Sequence, residues 1–135
     1  MFAFDTVQID GNASDVVDCD VDMVSDAANV ILRERHGRNV LGGYDHIVYY
    51  LPPEITDCGF GGLAQVTGSL VWMRSSSGAT AAHEIAHNLG LNHASTDWDD
   101  DNIPDAEYGD AADVCGGTSY YATMNAPHRL QLGYL

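Results

Sequence analysis

The sequence predicts a single α+β domain, and three observations carry that reading. Two stretches space their apolar residues as helices do, and several short runs between turn signals are rich in β-branched and aromatic residues. The segment after them is polar and irregular before a short closing helix. At 135 residues there is room for one core, so residues 1–135 are expected to fold as one unit.

Taken in order, Phe2 to Ile9 alternates loosely through Phe2, Phe4, Val7 and Ile9, which suits a first strand. Asp10-Gly11-Asn12 is turn chemistry. Met23 to His36 carries a stripe of Val24, Ala27, Ala28, Ile31 and Leu32. Asp18, Asp20 and Asp22 crowd its start, Arg33, Arg35 and His36 its end, and Gly37 follows as a C-cap; the spacing predicts a helix backing a sheet. Asp45 to Leu51, stopped by Pro52-Pro53, reads as a central strand covered on both faces, with His46 a satisfied edge residue rather than a ligand. The glycine-rich Cys58–Gly62 loop lacks the Lys-Ser/Thr ending of a phosphate loop, which excludes nucleotide binding. Leu63–Val66 and Ser69–Met73 flank Thr67-Gly68 as two short strands, one of them expected at a sheet edge that an extended peptide could join. Ser75 to Gly78 offers an N-cap to a helix from about Ala79 to Leu89, whose buried face is expected at Ala82, Ile85, Ala86 and Leu89. Asn125 as N-cap, Pro127 in the first turn and Gly133 as a stop define the closing helix.

The chemistry concentrates in His83-Glu84-Ile85-Ala86-His87-Asn88-Leu89-Gly90-Leu91-Asn92-His93. Histidines four apart lie on one helix face and can grip one metal ion together. Glu84 sits on a neighbouring face, within reach of a water on that ion without binding the ion. Gly90 can enter the left-handed conformation that ends the helix and brings His93 back as a third nitrogen. Three neutral imidazoles with one position open is the arrangement of a catalytic zinc. Once such an ion is bound, Glu84 is placed to act as general base.

A second constellation follows. Asp97, Asp99, Asp101 and Asp105 space carboxylates so that a turning loop could converge them on a hard cation such as calcium. The pattern is similar to Asp-x-Asp-x-Asp-Gly calcium loops, with Asn102 where Gly is usual and Tyr108 where a final carboxylate is usual, leaving Glu107, Asp110 or water for that place. A solvated acidic loop is the plainer alternative.

Composition narrows the partners. Acidic residues number 20 against five arginines and no lysine, and the net charge of −15 excludes nucleic acid and anionic membrane as natural partners. Asp-rich cation loops and a generally acidic, salt-tolerant surface both account for it. No run approaches a membrane span, and the first residues lack the basic start and apolar core of a signal peptide, so either an exported chain that has lost its signal and any pro-segment or a trimmed chain is expected. Cys19, Cys58 and Cys115 allow one disulfide and one thiol left over, and Cys19 with Cys58 is the expected pair.

The stretch from His83 to Ala94, together with Glu107-Tyr108-Gly109-Asp110, Asn125-Ala126-Pro127-His128-Arg129 and Leu132-Gly133, resembles the gametolysin-type metzincin peptidases, and Gly61-Gly62-Leu63-Ala64 is more loosely similar. The resemblance covers His83 to Leu135. It implies a metzincin-type zincin fold: a twisted mixed sheet with a backing helix and an active-site helix in an upper part (about 1–92), and a small irregular lower part (about 93–135) ending in a helix. It implies a secreted, monomeric zinc endopeptidase that acts on protein or peptide, with Zn²⁺ on His83, His87 and His93 and Glu84 as base. A non-catalytic metal-dependent module that binds proteins or glycans is the alternative. The resemblance also implies a methionine in a tight turn below the zinc. Here that place falls on Cys115, in Asp113-Val114-Cys115-Gly116, with Met124 as the alternative. Tyr120 or Tyr121 could donate to an oxyanion, though aromatic packing suits both better, and His128 is expected to be structural.

Overall fold

A computed structural model describes residues 3–9, 19–52, 54–55, 58–117 and 122–135. Phe2, Asp10-Gly11-Asn12, Asp18, Pro53, Tyr120 and Tyr121, which the sequence reading used, lie outside the described residues. The elements are α1 (Val21–His36), a short 3₁₀ turn (Val40–Gly43), β1 (Ile47–Tyr50), β2 (Gly62–Ala64), β3 (Leu70–Met73), α2 (Gly78–Asn88) and α3 (Ala126–Gln131). They form a small α+β fold around a mixed three-stranded sheet of order β1-β3-β2, in which β1 runs parallel and β2 antiparallel to β3.

The helix ends follow their local chemistry. Asp20 caps α1 by accepting the Met23 N–H at 2.9 Å, and Gly37 closes it at φ 95°. Ser77 caps α2, Asn125 caps α3, and Gly90 and Gly133 take positive φ just beyond them.

The main core lies between α1 and one face of the sheet. Ala28, Tyr49, Leu51, Ile55, Cys58 and Trp72 are buried there together, with Val24, Ile47 and Leu70 packed around them. Two polar bonds fix the helix on that face: Trp72 Nε1 donates to Ser25 Oγ at 3.1 Å, and the Tyr49 hydroxyl donates to Asn29 Oδ1 at 2.8 Å. Side chains alternate across a strand, so Val71 and Met73, both buried, point the other way. That second face is covered by α2, which packs on β2 and β3. Asn88 anchors it by donating to Gln65 O at 2.8 Å and Leu70 O at 3.1 Å, while its Oδ1 meets His46 Nδ1 at 3.1 Å. A smaller cluster of Ala86, Leu91 and Cys115, flanked by Val114, Met124 and Leu132, joins α2 to the irregular C-terminal segment.

Three expectations are corrected. Residues 3–9 form no strand: Phe4 is 98 % exposed, and the segment is held through Asp5 to His36 and Arg35. Alternation alone does not make a strand without a neighbour to pair with. The segment expected as a central strand, β1, is instead at the sheet edge, and β3 takes the middle. Because α2 covers only β2 and β3, Val48 and Tyr50 of β1 remain exposed. Finally, Ala82, Ile85 and Leu89 of α2 face outward, while Glu84, Ala86, His87 and Asn88 are buried. The helix turns polar groups inward, and only Ala86 of the expected apolar face lies inside.

No helix among the described residues is long and apolar enough to cross a membrane. Cys19 and Cys58 form a disulfide with Cα atoms 5.0 Å apart, and Cys115 is free. The bridge closes 39 residues and ties the start of α1 to the loop before β2. Replacing both cysteines by alanine is expected to cost about 2–4 kcal/mol, measured by urea unfolding of the native and double-mutant chains.

Candidate metal centre

The site is built where α2 ends above the irregular C-terminal segment. His83 and His87 stand one helical turn apart, and the Gly90 turn at φ 96° reverses the chain so that His93 reaches the same point. One ring nitrogen from each of the three lies within 4.8 Å of the others. The Nε2 atoms of His83 and His87 are 3.1 Å apart.

Each ring is held from behind. His83 Nδ1 donates to Val114 O at 2.9 Å, His87 Nδ1 to Leu91 O at 2.7 Å, and His93 Nδ1 to Glu107 Oε1 at 2.7 Å. A carbonyl or carboxylate oxygen can only accept, so each Nδ1 carries the proton and each Nε2 is left with a lone pair. Lone pairs facing one another across 3.1 Å repel, and a cation between them satisfies both. Imidazoles oriented by acceptors behind them form the donor set that zinc takes. Burial also holds His83 below its ordinary pKa, which favours the neutral ring that can ligate.

Glu84 is 6 % exposed on the sheet-facing side of α2. Burial raises its pKa, with His87 pulling the other way. The edge strand β2 passes directly against it: a Cβ on Gly62 would stand 2.5 Å from Glu84 Cγ. A cavity of about 700 Å³ opens here, lined by Phe60, Gly61, Gly62, His83, Glu84 and Tyr108 among others.

Three residues here escaped the sequence reading of the site. Glu107 holds His93; its adjacency to Tyr108 offered no signal of that role. Tyr108 packs over His93 with ring centroids 4.0 Å apart. Among the described residues it is the tyrosine that stacks on the histidines; Tyr120 and Tyr121 lie outside them. Asp113, fully buried, accepts the Cys115 N–H at 2.7 Å and the Asn125 N–H at 2.7 Å, and meets His128 Nδ1 at 2.9 Å. Cys115 is fully buried against Ala86 and Leu91, and burial beside Asp113 and Glu84 pushes its thiol up to about 12. Met124 packs on the same cluster from outside and is only partly buried.

In the acidic loop, Asp97, Asp99 and Asp105 bring carboxylate oxygens within 4.8 Å of one another, and Asp101 falls outside that group. Asp101 accepts the Ile103 N–H instead. Asp97 accepts the Asp100 and Asn102 N–H groups, and Asp105 accepts that of Trp98, so the loop closes on its own backbone donors. Asn102 takes the left-handed conformation, φ 68°, that its place in the pattern demands.

The fold and the histidine geometry together describe an α+β chain with a cleft at the end of one helix where three histidines converge. The chain belongs to the gametolysin-like metallopeptidases: the gametolysin peptidase M11 family matches residues 1–135, so the likeness reaches well beyond the His83–Leu135 stretch that carried it in the sequence. Neither the curated proteins nor the solved structures gave a match.

Asp110 links this segment to α3, accepting the Asn125 side-chain amide at 3.0 Å and the Ala112 N–H at 2.9 Å. Those bonds hold its carboxyl below the ordinary value of 3.8. A lowered folded pKa stabilises above the ordinary value, and that stabilisation disappears as pH falls through the lowered one. Asp110→Asn is therefore expected to flatten the loss of stability below about pH 4, read by thermal unfolding of the chelator-treated protein across an acid series.

Proposed function

We propose that the chain is a metzincin-type, zinc-dependent endopeptidase, with His83, His87 and His93 as zinc ligands and Glu84 as general base. The observation that carries the reading is the set of three ring nitrogens gathered within 4.8 Å, each ring fixed by an acceptor on Nδ1, with a buried carboxylate in the same cavity. A protein or peptide substrate follows from membership of a peptidase family. The Cys19–Cys58 disulfide is consistent with work outside the cytosol.

Zinc held by His83, His87 and His93 would supply Lewis acidity to the attacking water and the scissile carbonyl. The remaining work belongs to the chain. Glu84 accepts the proton of the attacking water and delivers it to the leaving amide nitrogen. Its raised proton affinity suits both halves of that transfer, since a carboxylate of ordinary acidity is a poor base near neutrality. The outer edge of β2 lies along the same cavity and can take an extended peptide by strand addition, laying the scissile bond beside Glu84. Cys115 occupies the place that methionine holds in the metzincin turn, and its protonated thiol acts as an apolar filler.

Glu84→Ala is expected to keep the zinc and lose cleavage of a mixed peptide library by at least about a hundredfold, general acid–base terms being of that order. Zinc content by atomic absorption and cleavage by mass spectrometry are the measurements. A native chain that binds zinc and cleaves nothing would overturn the peptidase reading and favour a binding module. Gly62→Ala is expected to lower kcat with little change in zinc content, because the new Cβ displaces the base rather than the ligands. Parallel kinetics and metal analysis of that variant check it.

A further inference from the structure

Asp113, Cys115 and His128 form a second buried group with ligand-type atoms within 4.8 Å of one another. Three N–H donors already engage the Asp113 carboxylate, so the group is accounted for without an ion. The group has a different reach. Asp113 directly precedes Val114, whose carbonyl holds His83 Nδ1 at 2.9 Å. Val114 N donates to Thr123 O at 2.8 Å, and Cys115 O accepts the Ala94 N–H at 2.9 Å, next to His93. Asp113 joins all of this to α3 by accepting the Asn125 backbone N–H at its N-cap and meeting the His128 ring inside it. The Asp113 side chain is fully buried and that of His128 is 10 % exposed, so solvent does not replace either partner.

We propose that Asp113 and His128 are positioning residues for the metal centre: a buried carboxylate–imidazole strut that braces the Val114 carbonyl against α3 and thereby fixes the tautomer and direction of the His83 ring. The inference rests on the reading of His83 as a zinc ligand for its effect on zinc, and on geometry alone for its effect on the ring. Outer partners of metal-bound histidines govern affinity because they fix which nitrogen is free and where it points. Here the partner is a main-chain carbonyl, which no substitution removes, so its placement depends on whatever holds the turn.

The test compares the full native chain with His128→Phe, His128→Asn and Leu132→Ala. His128→Phe fills the ring volume without a donor, and His128→Asn keeps a donor where Nδ1 stood. Leu132→Ala loosens the same cluster without touching Asp113. Zinc dissociation constants come from competition with a chromophoric chelator, and the His83 tautomer comes from long-range ¹⁵N–¹H NMR of the zinc-free protein. His128→Phe is expected to weaken zinc about 10–100-fold and to mix the His83 tautomers. His128→Asn is expected to restore both, and Leu132→Ala to lower the melting temperature while leaving both unchanged. If His128→Phe does not fold, His128→Ala takes its place in the same comparison. Native zinc affinity and a single His83 tautomer in His128→Phe overturn the inference, and so does an equal loss in Leu132→Ala. A native chain that binds no zinc overturns the metalloenzyme reading instead, and the tautomer comparison still decides the strut.

Discussion

Each of the three imidazoles at the cleft has two nitrogens, and only one can face the common point. For the buried His87 the other must give its proton to an acceptor or lose about 1–3 kcal/mol, while the more exposed His93 is held by Glu107 at the surface. Helix α2 cannot supply those acceptors to its own side chains, because its interior carbonyls are committed to the helix. They come from the segment that follows: Leu91 O just past the Gly90 turn, Glu107 on the far side of the acidic loop, and Val114 O below. The irregular character of that segment follows from this demand. A regular helix or strand would spend its carbonyls on itself, whereas a wound loop can turn single carbonyls toward ring nitrogens at separate points.

The sheet side of the cleft answers a different demand. A carboxylate buried between a helix and a strand needs room, and β2 gives it by carrying no side chain at Gly62. The same strand is short and at the edge, so its outer side stays open to the cavity. Asn88 then fixes the angle of α2 against the sheet through two main-chain carbonyls, which sets how far Glu84 stands from β2. Glu84 and the histidines thus leave one helix on different faces, and different halves of the molecule hold them.

What the sequence made legible was local. Ser77, Gly90, Asn125 and Gly133 speak for the residues beside them, because capping and left-handed turns are settled within a few positions. The His83–His87–His93 spacing is of the same kind, whereas the Cys19–Cys58 pair spans 39 residues and was within reach only because three cysteines share the chain. The roles of Glu107 and Asp113 were not legible, since each acts on residues 12 to 15 positions away through a fold that no spacing rule encodes. The face of α2 was misread for a related reason. Apolar periodicity assumes that burial means an apolar surround, but this helix buries His87 and Asn88 with their hydrogen-bond partners inside and Glu84 against the open face of Gly62. The strand expected at residues 2–9 and the central place given to β1 failed together. Both inferred neighbours from side-chain pattern, and pairing depends on which strand lies alongside.

The remaining thiol shows how such a site can carry a competing ligand without harm. Cysteine is a softer zinc ligand than histidine, and one placed under the cleft could draw the ion out of position. It does so only as thiolate. Cys115 has no exposure, and the nearby Asp113 and Glu84 carboxylates add to the effect of burial, so ionisation is pushed to about 12. Burial has the largest part in this, and the carboxylate that organises the turn beneath His83 adds to it. One buried side chain thus bonds both the backbone of that cysteine and the start of the last helix.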